Sequence, residues 1–181
     1  KILEPTLPEL SAELLAIPHK STATANLVYE RKDVPHPLNG FGFVVPPNEN
    51  CSILACTFSS VKFAGRAPKG KIILRAFLGG ALQPEIVKLS DEQMEWAIRK
   101  DLRVLLGIQA APLTVSIRRY FNAMPLYVVG HLNRVARIER LIKKAKGLAL
   151  AGNAYHGIGV PDCIYSAQQA TETLFKQLYP N

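Results

Sequence analysis

The stretch GLALAGNAYHGIGVPDCIYSAQQATETLF, residues 147–175, decides how the back half of the chain is interpreted. Its apolar tetrapeptide LALA is typical of a short strand buried on both faces. Gly152, Gly157 and Gly159 then leave the main chain uncovered before a proline that suits the first turn of a helix. Unpaired N–H groups at a helix start, facing a strand end, form a crevice where α/β folds bind anionic or electron-rich ligands. The alternative is a glycine-rich loop adopted only for its turn geometry.

This loop matches neither of two common phosphate-binding motifs. No Gly-Lys-Ser/Thr follows it, which argues against a P-loop, and Asp162 stands where G-x-G-x-x-G requires its last glycine. A ligand beside the loop is therefore expected to be a large planar or phosphorylated group that gathers negative charge. Flavin fits that description, because its reduced ring becomes anionic and the positive end of a helix would stabilise it.

Hydrophobic periodicity divides the rest of the chain into a sheet-rich front and a helix-rich back. Segments of β-rich sequence, bounded by glycine, proline or asparagine, predict strands that pair as antiparallel hairpins over 21–30, 41–46, 52–60 and 71–80. Ser90 and Gln93 stand in capping-box spacing before a helix that Gly107 ends. Further helices are predicted over 7–17, 130–146 and from residue 161, with strands over 112–121 and 148–151. The predicted fold class is α+β.

Composition and charge exclude several classes of protein. The 181 residues are 48% hydrophobic and 20% charged, which is typical of a globular chain. No apolar run approaches the roughly 20 residues of a membrane span, and the first residues lack the apolar core of a signal peptide. Three cysteines and four scattered histidines argue against a disulfide framework and against a zinc site. We therefore expect a cytoplasmic protein, with association to a membrane surface left open.

Part of the net charge of +8 is concentrated in one predicted helix. Its cationic residues are Arg134, Arg137, Arg140, Lys143, Lys144 and Lys146. Such a face suits nucleic acid, acidic lipid or an anionic substrate, although most charge runs are simply solvated helix faces. Because no aromatic residue interleaves with these charges, we expect no nucleic-acid partner. A basic module that binds nucleic acid or an anionic surface is nevertheless kept as the alternative to an enzyme.

Six sequence blocks occur in a recognisable order and spacing between about residues 3 and 178. They are HPLNGFGFVVP, FSSVKFAGRAPKGK, AFLGGA, LSDEQ followed by DLRVLLGI, NAMPLYVVGHLNRVARIE, and LAGNAYHGIGVPDCIYSAQQA. Together they resemble the C-terminal portion of the FAD-dependent protoporphyrinogen oxidases, which belong to the amine-oxidase-like flavoproteins. The resemblance implies that residues 1–110 are part of a substrate-binding domain with an antiparallel-rich sheet. Residues 111–181 would then be the C-terminal part of a Rossmann-like FAD-binding domain.

The resemblance also implies a cofactor, FAD, and residues that contact it. Ile158, Gly159 and Val160 match positions that lie against the flavin ring and its ribityl side. Tyr120 matches an aromatic position beside the flavin. The Asn153 position often carries aspartate in the wider superfamily, so a specific role for that side chain is doubtful. The N-terminal half that grips the ADP part of FAD is expected to be missing, and the fragment alone is expected to be inactive.

On the substrate side, Phe41, Val44 and Phe77 match positions that contact the tetrapyrrole, whereas their pattern alone would place them in the sheet core. Arg66 or the basic helix is the expected source of positive charge near the propionates. The implied reaction oxidises protoporphyrinogen IX or coproporphyrinogen III by hydride transfer to FAD, with reoxidation by dioxygen. It needs no catalytic side chain and no metal. The implied partners are the porphyrinogen and the missing half; membrane contact, a homodimer and a different amine-oxidase-like substrate stay open.

Overall fold

The computed structural model describes residues 2–179. Its fold class is α+β, as predicted. Helices and strands alternate irregularly along the chain: α1 Pro8–Leu15, β1 His19–Glu30, β2 Gly42–Val44, β3 Ala55–Phe58, α2 Ser59–Lys62, β4 Lys71–Gly79, α3 Asp91–Leu106, β5 Thr114–Pro125, α4 His131–Ile142 and α5 Val160–Leu178. None of the helices in the described chain is both long and apolar enough to cross a bilayer.

The chain forms two compact units. The sheet unit is Lys20–Met124, and the helical unit combines the chain up to His19 with the chain from Pro125 onward. This division differs from the predicted boundary at residues 110 and 111. The first reason is that β5 pairs with β1 through hydrogen bonds and so belongs to the sheet. The second is that α1 packs on α4 and so joins the C-terminal elements.

A five-stranded sheet in the order β2-β3-β4-β1-β5 forms the sheet unit. The pairs β2–β3, β3–β4 and β4–β1 are antiparallel, as predicted. The first two pairs join successive strands, whereas β1 lies beside β4 and not beside β2. Side chains alternate between the two faces with the period of a strand. One face is buried along β1 and β4 and packs against α3; its buried members include Ala23, Ala25, Leu27, Leu74, Ala76 and Leu78.

Helix α3 begins and ends as its sequence predicts. The Ser90 hydroxyl accepts from the Gln93 amide at 3.2 Å and the Gln93 side chain accepts from the Ser90 amide at 3.0 Å, which is a complete capping box. Gly107 ends the helix with φ of 72°, a conformation that favours glycine. The buried Asp101 carboxylate accepts from the amides of Ser52 and Ile53, at 2.7 and 3.0 Å. These bonds tie the helix to the loop before β3.

In the helical unit, α1 and α4 pack through a small apolar core that includes Leu10, Ile17 and Ile138. Helix α5 has no buried residue. Residues 148–151, predicted as a strand, do not form one. A strand exists only where another segment completes its hydrogen-bond ladder. Within the described chain, no main-chain hydrogen bond joins these four residues to another segment.

Candidate functional site

The face of the sheet turned away from α3, called the open face below, collects most of the predicted site residues of the sheet unit. Cross-strand pairing aligns Val44 with Ala55, Ala55 with Phe77, and Phe77 with Thr24. Their neighbours along each strand are directed into the core, so these four side chains form one row on the open face. Val44 is 79% exposed and Phe77 is half-buried. The structure therefore places two predicted substrate residues in one row, two strands or about 10 Å apart.

Phe41, the third predicted substrate residue, precedes β2 in a bend. Its carbonyl oxygen accepts from the Phe58 amide at 2.9 Å, which holds the approach to the strand. The Phe41 side chain is exposed. It is therefore not part of the sheet core that its pattern alone would suggest.

Tyr120 also lies on the open face. On β5, Val115 and Ile117 pack against the core, and the Arg119 guanidinium hydrogen-bonds the carbonyl of Leu89 at 2.7 Å. The alternation of a strand then directs Tyr120 to the opposite side, where its ring is 48% exposed. The predicted flavin-side aromatic thus shares a single sheet face with two of the three predicted tetrapyrrole residues, Val44 and Phe77.

A small pocket of about 240 Å³, the open-face pocket, lies on this same face. Arg66, Arg75, Asn26 and Phe63 line it together with three hydroxyl side chains. Arg66 was expected from the sequence as a source of charge, whereas Arg75 was missed. The signal was present in KIILRAFLGG, because strand alternation puts Arg75 on the same face as Phe77, two residues away.

In the helical unit, the glycine-rich turn presents main chain and two aliphatic side chains to solvent. Ile158 is 58% exposed and Val160 is 73% exposed. The start of α5 differs from the predicted bare, positive helix end. Asp162 in its first turn accepts a hydrogen bond from the Gly159 amide at 3.1 Å, so a carboxylate already occupies that end. A Cβ atom at Gly157 would lie 2.6 Å from the same carboxyl group, which explains the glycine there.

Two aromatic residues hold this turn from the start of α4. The Tyr127 hydroxyl accepts from the Gly157 amide and donates to the carbonyl of Asn153, both at 2.9 Å. The Tyr127 ring stacks on His131 with ring centres 3.9 Å apart. His131 is buried and its Nε2 donates to the carbonyl of Tyr155 at 3.0 Å. We call this pair of residues the Tyr127–His131 clamp. The sequence does not predict it, because nothing in the residue pattern indicates which loop a tyrosine hydroxyl will reach.

Whether a flavin fits this turn can be judged from its surface. Two large aliphatic side chains, Ile158 and Val160, flank the main chain of Gly159 and stay exposed, and a flat apolar ring would cover them. The turn also borders a cavity of about 580 Å³ whose walls include Gly152 and Gly157. The turn could therefore hold the edge of a planar ring such as flavin through shape and apolar contact. Asp162 argues against any role for the helix start as a source of positive charge.

The basic helix α4 is partly neutralised. The Glu13 carboxylate pairs with Arg134 at 2.8 Å and with Arg137 at 2.7 Å. The hydrogen bond from Arg137 holds the pKa of Glu13 below its ordinary value. Because two of the six cations already have this partner, the surface is less suited to nucleic acid or acidic lipid than the sequence suggested.

The strongest pKa shifts lie in the core and serve no acid–base chemistry. Burial raises the pKa of Tyr29 to about 12 and that of the Cys56 thiol to about 12. Both groups therefore stay neutral at physiological pH. Across residues 2–179, no three His, Cys, Asp or Glu side chains are placed to hold a metal ion.

Comparisons with known proteins identify relatives of this chain. A family model described as flavin containing amine oxidoreductase matches residues 1–174. Coproporphyrinogen III oxidase of Bacillus subtilis is 33% identical over 175 residues, which cover 93% of this chain and 37% of that protein. The chloroplastic protoporphyrinogen oxidase of Nicotiana tabacum is 33% identical over 136 residues, covering 73% of this chain and 25% of that protein.

A solved structure resembles nearly all of this chain. It is a crystal structure from Exiguobacterium sp. 255-15, provisionally assigned as a protoporphyrinogen oxidase, with a TM-score of 0.79 and 34% identity. The match covers 96% of this chain and 38% of that one. The chain thus spans less than two fifths of the length of these three relatives.

Proposed function

The chain belongs to the flavin containing amine oxidoreductase family, and on that premise we propose that it is the C-terminal portion of an FAD-dependent porphyrinogen oxidase. The resemblance inferred from six sequence blocks is confirmed by its relatives. The proposed reaction converts protoporphyrinogen IX or coproporphyrinogen III to the porphyrin. The sheet unit would be part of the substrate-binding domain, and the helical unit the C-terminal part of the FAD-binding domain.

One observation supports this proposal above the others. Val44, Phe77 and Tyr120 lie on the same sheet face as a pocket with two arginines. An apolar surface beside a cationic pocket suits a flat hydrophobic macrocycle that carries carboxylate arms. A basic module that binds nucleic acid would have no use for the apolar row.

In the proposed mechanism, the residues of this chain bind and orient rather than react. The chemistry that FAD supplies when bound is the acceptance of hydride and the return of electrons to dioxygen. Phe77 and Val44 would hold the macrocycle by apolar contact and exclude water from it, and Tyr120 would flank the flavin. The exposed Ile158 and Val160 would pack on the flavin ring beside the uncovered main chain of Gly159.

Because the chain covers 37% of the Bacillus subtilis relative, we propose that it gives no turnover by itself. Activity is best tested in a chimera in which this chain replaces the matching C-terminal part of that relative. The purified chimera should show flavin absorbance and should generate porphyrin fluorescence from a porphyrinogen. The isolated chain, titrated with FAD under the same conditions, should generate none.

A pair of alanine variants in the chimera separates substrate contact from general damage. Phe77→Ala removes an apolar contact of about 1.5–3 kcal/mol and should lower kcat/KM by tenfold or more. Trp96→Ala removes an exposed aromatic side chain from α3 and should change kcat/KM less than twofold. A chimera that binds flavin yet forms no porphyrin, or equal effects of the two variants, would refute the proposal.

A further inference from the structure

The open-face pocket carries positive charge without a negative partner. Arg66 and Arg75 both line it, and none of its described lining residues is acidic. The pocket also presents the hydroxyl groups of Ser59, Thr114 and Ser116. Two guanidinium groups and three hydroxyls that converge on one small space form a donor-rich site for an anion.

Both arginines are held in place by contacts that leave donors for a ligand. Arg75 donates from Nε to the Asn26 side-chain oxygen at 2.8 Å, across the β1–β4 pair. Within the described chain, its two terminal nitrogens make no hydrogen bond. The Arg66 guanidinium lies 5.2 Å from the centre of the Phe63 ring, a cation–π distance. Guanidinium groups fixed in this way match the planar, two-oxygen geometry of a carboxylate.

The size and position of the pocket indicate what part of a ligand it takes. Its volume of about 240 Å³ lies below the roughly 300–1,000 Å³ of sites that enclose a whole small molecule. Arg75 precedes Phe77 by two residues on one strand face, a separation of about 7 Å. A macrocycle lying on Phe77 would therefore extend a peripheral arm, and not its ring, toward the pocket.

Resting on the function proposed above, we propose that the open-face pocket binds one of the two propionate arms that protoporphyrinogen lacks, and so gives the site a preference for coproporphyrinogen. Coproporphyrinogen carries four propionates, whereas protoporphyrinogen has vinyl groups in place of two of them. A vinyl group in the pocket would strip water from two guanidinium groups and offer them no acceptor. Sites built to bond a polar group reject analogues that lack it strongly, because the buried donors are left unpaired.

Equilibrium binding to the 181-residue chain tests the preference without flavin or turnover. Coproporphyrin III and protoporphyrin IX, the stable oxidised rings, are titrated separately and followed by the shift of their main absorption band. The wild-type chain should bind coproporphyrin III at least tenfold more tightly. Arg75→Gln should remove most of that difference by weakening coproporphyrin III alone.

Two further variants keep the test decisive. Arg66 lies in an exposed loop, so Arg66→Gln should fold even if Arg75→Gln folds poorly. Arg66→Gln should also weaken the binding of coproporphyrin III. Arg103→Gln removes the same charge from an exposed position on α3 and should alter neither affinity. Equal binding of the two porphyrins, no binding of coproporphyrin III, or equal effects of Arg75→Gln and Arg103→Gln would overturn the inference. The chimera's turnover is measured separately, so failure of the pocket and failure of the proposed oxidase are distinguishable.

Discussion

Replacing Tyr127 with phenylalanine removes one hydroxyl from the clamp and leaves its ring in place. That hydroxyl accepts from the Gly157 amide and donates to the Asn153 carbonyl, both at 2.9 Å. The ring would still stack on His131, whose centre lies 3.9 Å away. The substitution therefore isolates the two hydrogen bonds that join the start of α4 to the glycine-rich turn.

The expected loss follows from the exposure of the tyrosine. Tyr127 is 43% exposed, so water partly replaces its partners and each bond is worth about 0.5 kcal/mol, the low end of the usual range. Two bonds give about 1 kcal/mol, which is roughly a fivefold increase in local opening of the turn. The Gly157 amide should exchange its hydrogen for deuterium about fivefold faster, because it loses its acceptor directly. Exchange in α3, in the sheet unit, should not change.

A matched control is available directly after α5. The Tyr179 ring contacts Phe175 at a centroid distance of 4.9 Å, and its hydroxyl makes no hydrogen bond within the described chain. Tyr179→Phe should therefore leave exchange of the Gly157 amide unchanged. If Tyr127→Phe also leaves it within twofold of wild type, the hydroxyl does not hold the turn and the clamp is a packing contact alone.

Three other predictions test the fold. Asp101→Ala deprives the amides of Ser52 and Ile53 of their acceptor and should lower the free energy of unfolding, measured in urea, by about 3 kcal/mol. Asp101→Asn keeps an acceptor oxygen and should lower it by less than half as much. Equal losses for the two variants would contradict this account. Glu13, whose pKa is lowered, stabilises the native state above about pH 4.5 and loses that contribution as pH falls through its folded-state pKa. Glu13→Gln should therefore cost about 1 kcal/mol or less at pH 7 and flatten the acid side of the stability profile. Gly79→Ala places a Cβ atom 2.8 Å from the Ser21 carbonyl oxygen and should lower the stability of the fold by about 3 kcal/mol. Gly70→Ala, whose Cβ atom meets open space, should lower it by about 1 kcal/mol. Equal losses of stability in thermal denaturation would refute the steric argument.

Local elements were predictable because their signals are local. The capping box at Ser90 and Gln93, the glycine stop at Gly107 and the alternation of β1 and β4 each involve residues close in sequence. Residues 148–151 have the composition of a buried strand, yet a strand depends on a neighbour that no local pattern supplies. The two compact units divide the chain at other residues than the expected domain boundary for the same reason, since the pairing of β5 with β1 is a long-range contact.

The candidate site divides in the same way. Alternation is enough to put Val44, Phe77 and Arg75 on one face once the register of the strands is known. Register itself depends on turns and packing across the sheet, so the grouping emerges only from the structure. The carboxylate of Asp162 at the helix start shows the opposite limit. The sequence shows that Asp162 lies near the start of the helix. Only the structure shows that its carboxylate accepts a hydrogen bond from the Gly159 amide and so offsets the positive charge of the helix end.

The two faces of the sheet differ in how much change they tolerate. Substitutions at Leu74 or Ala76 disturb a close-packed interior and cost stability at once, whereas Thr24, Asn26 and Arg75 are free of that constraint. The chemistry of the open face can therefore change through single substitutions while the folded state persists. The close-packed face carries the stability of the sheet, and the open face carries its variability.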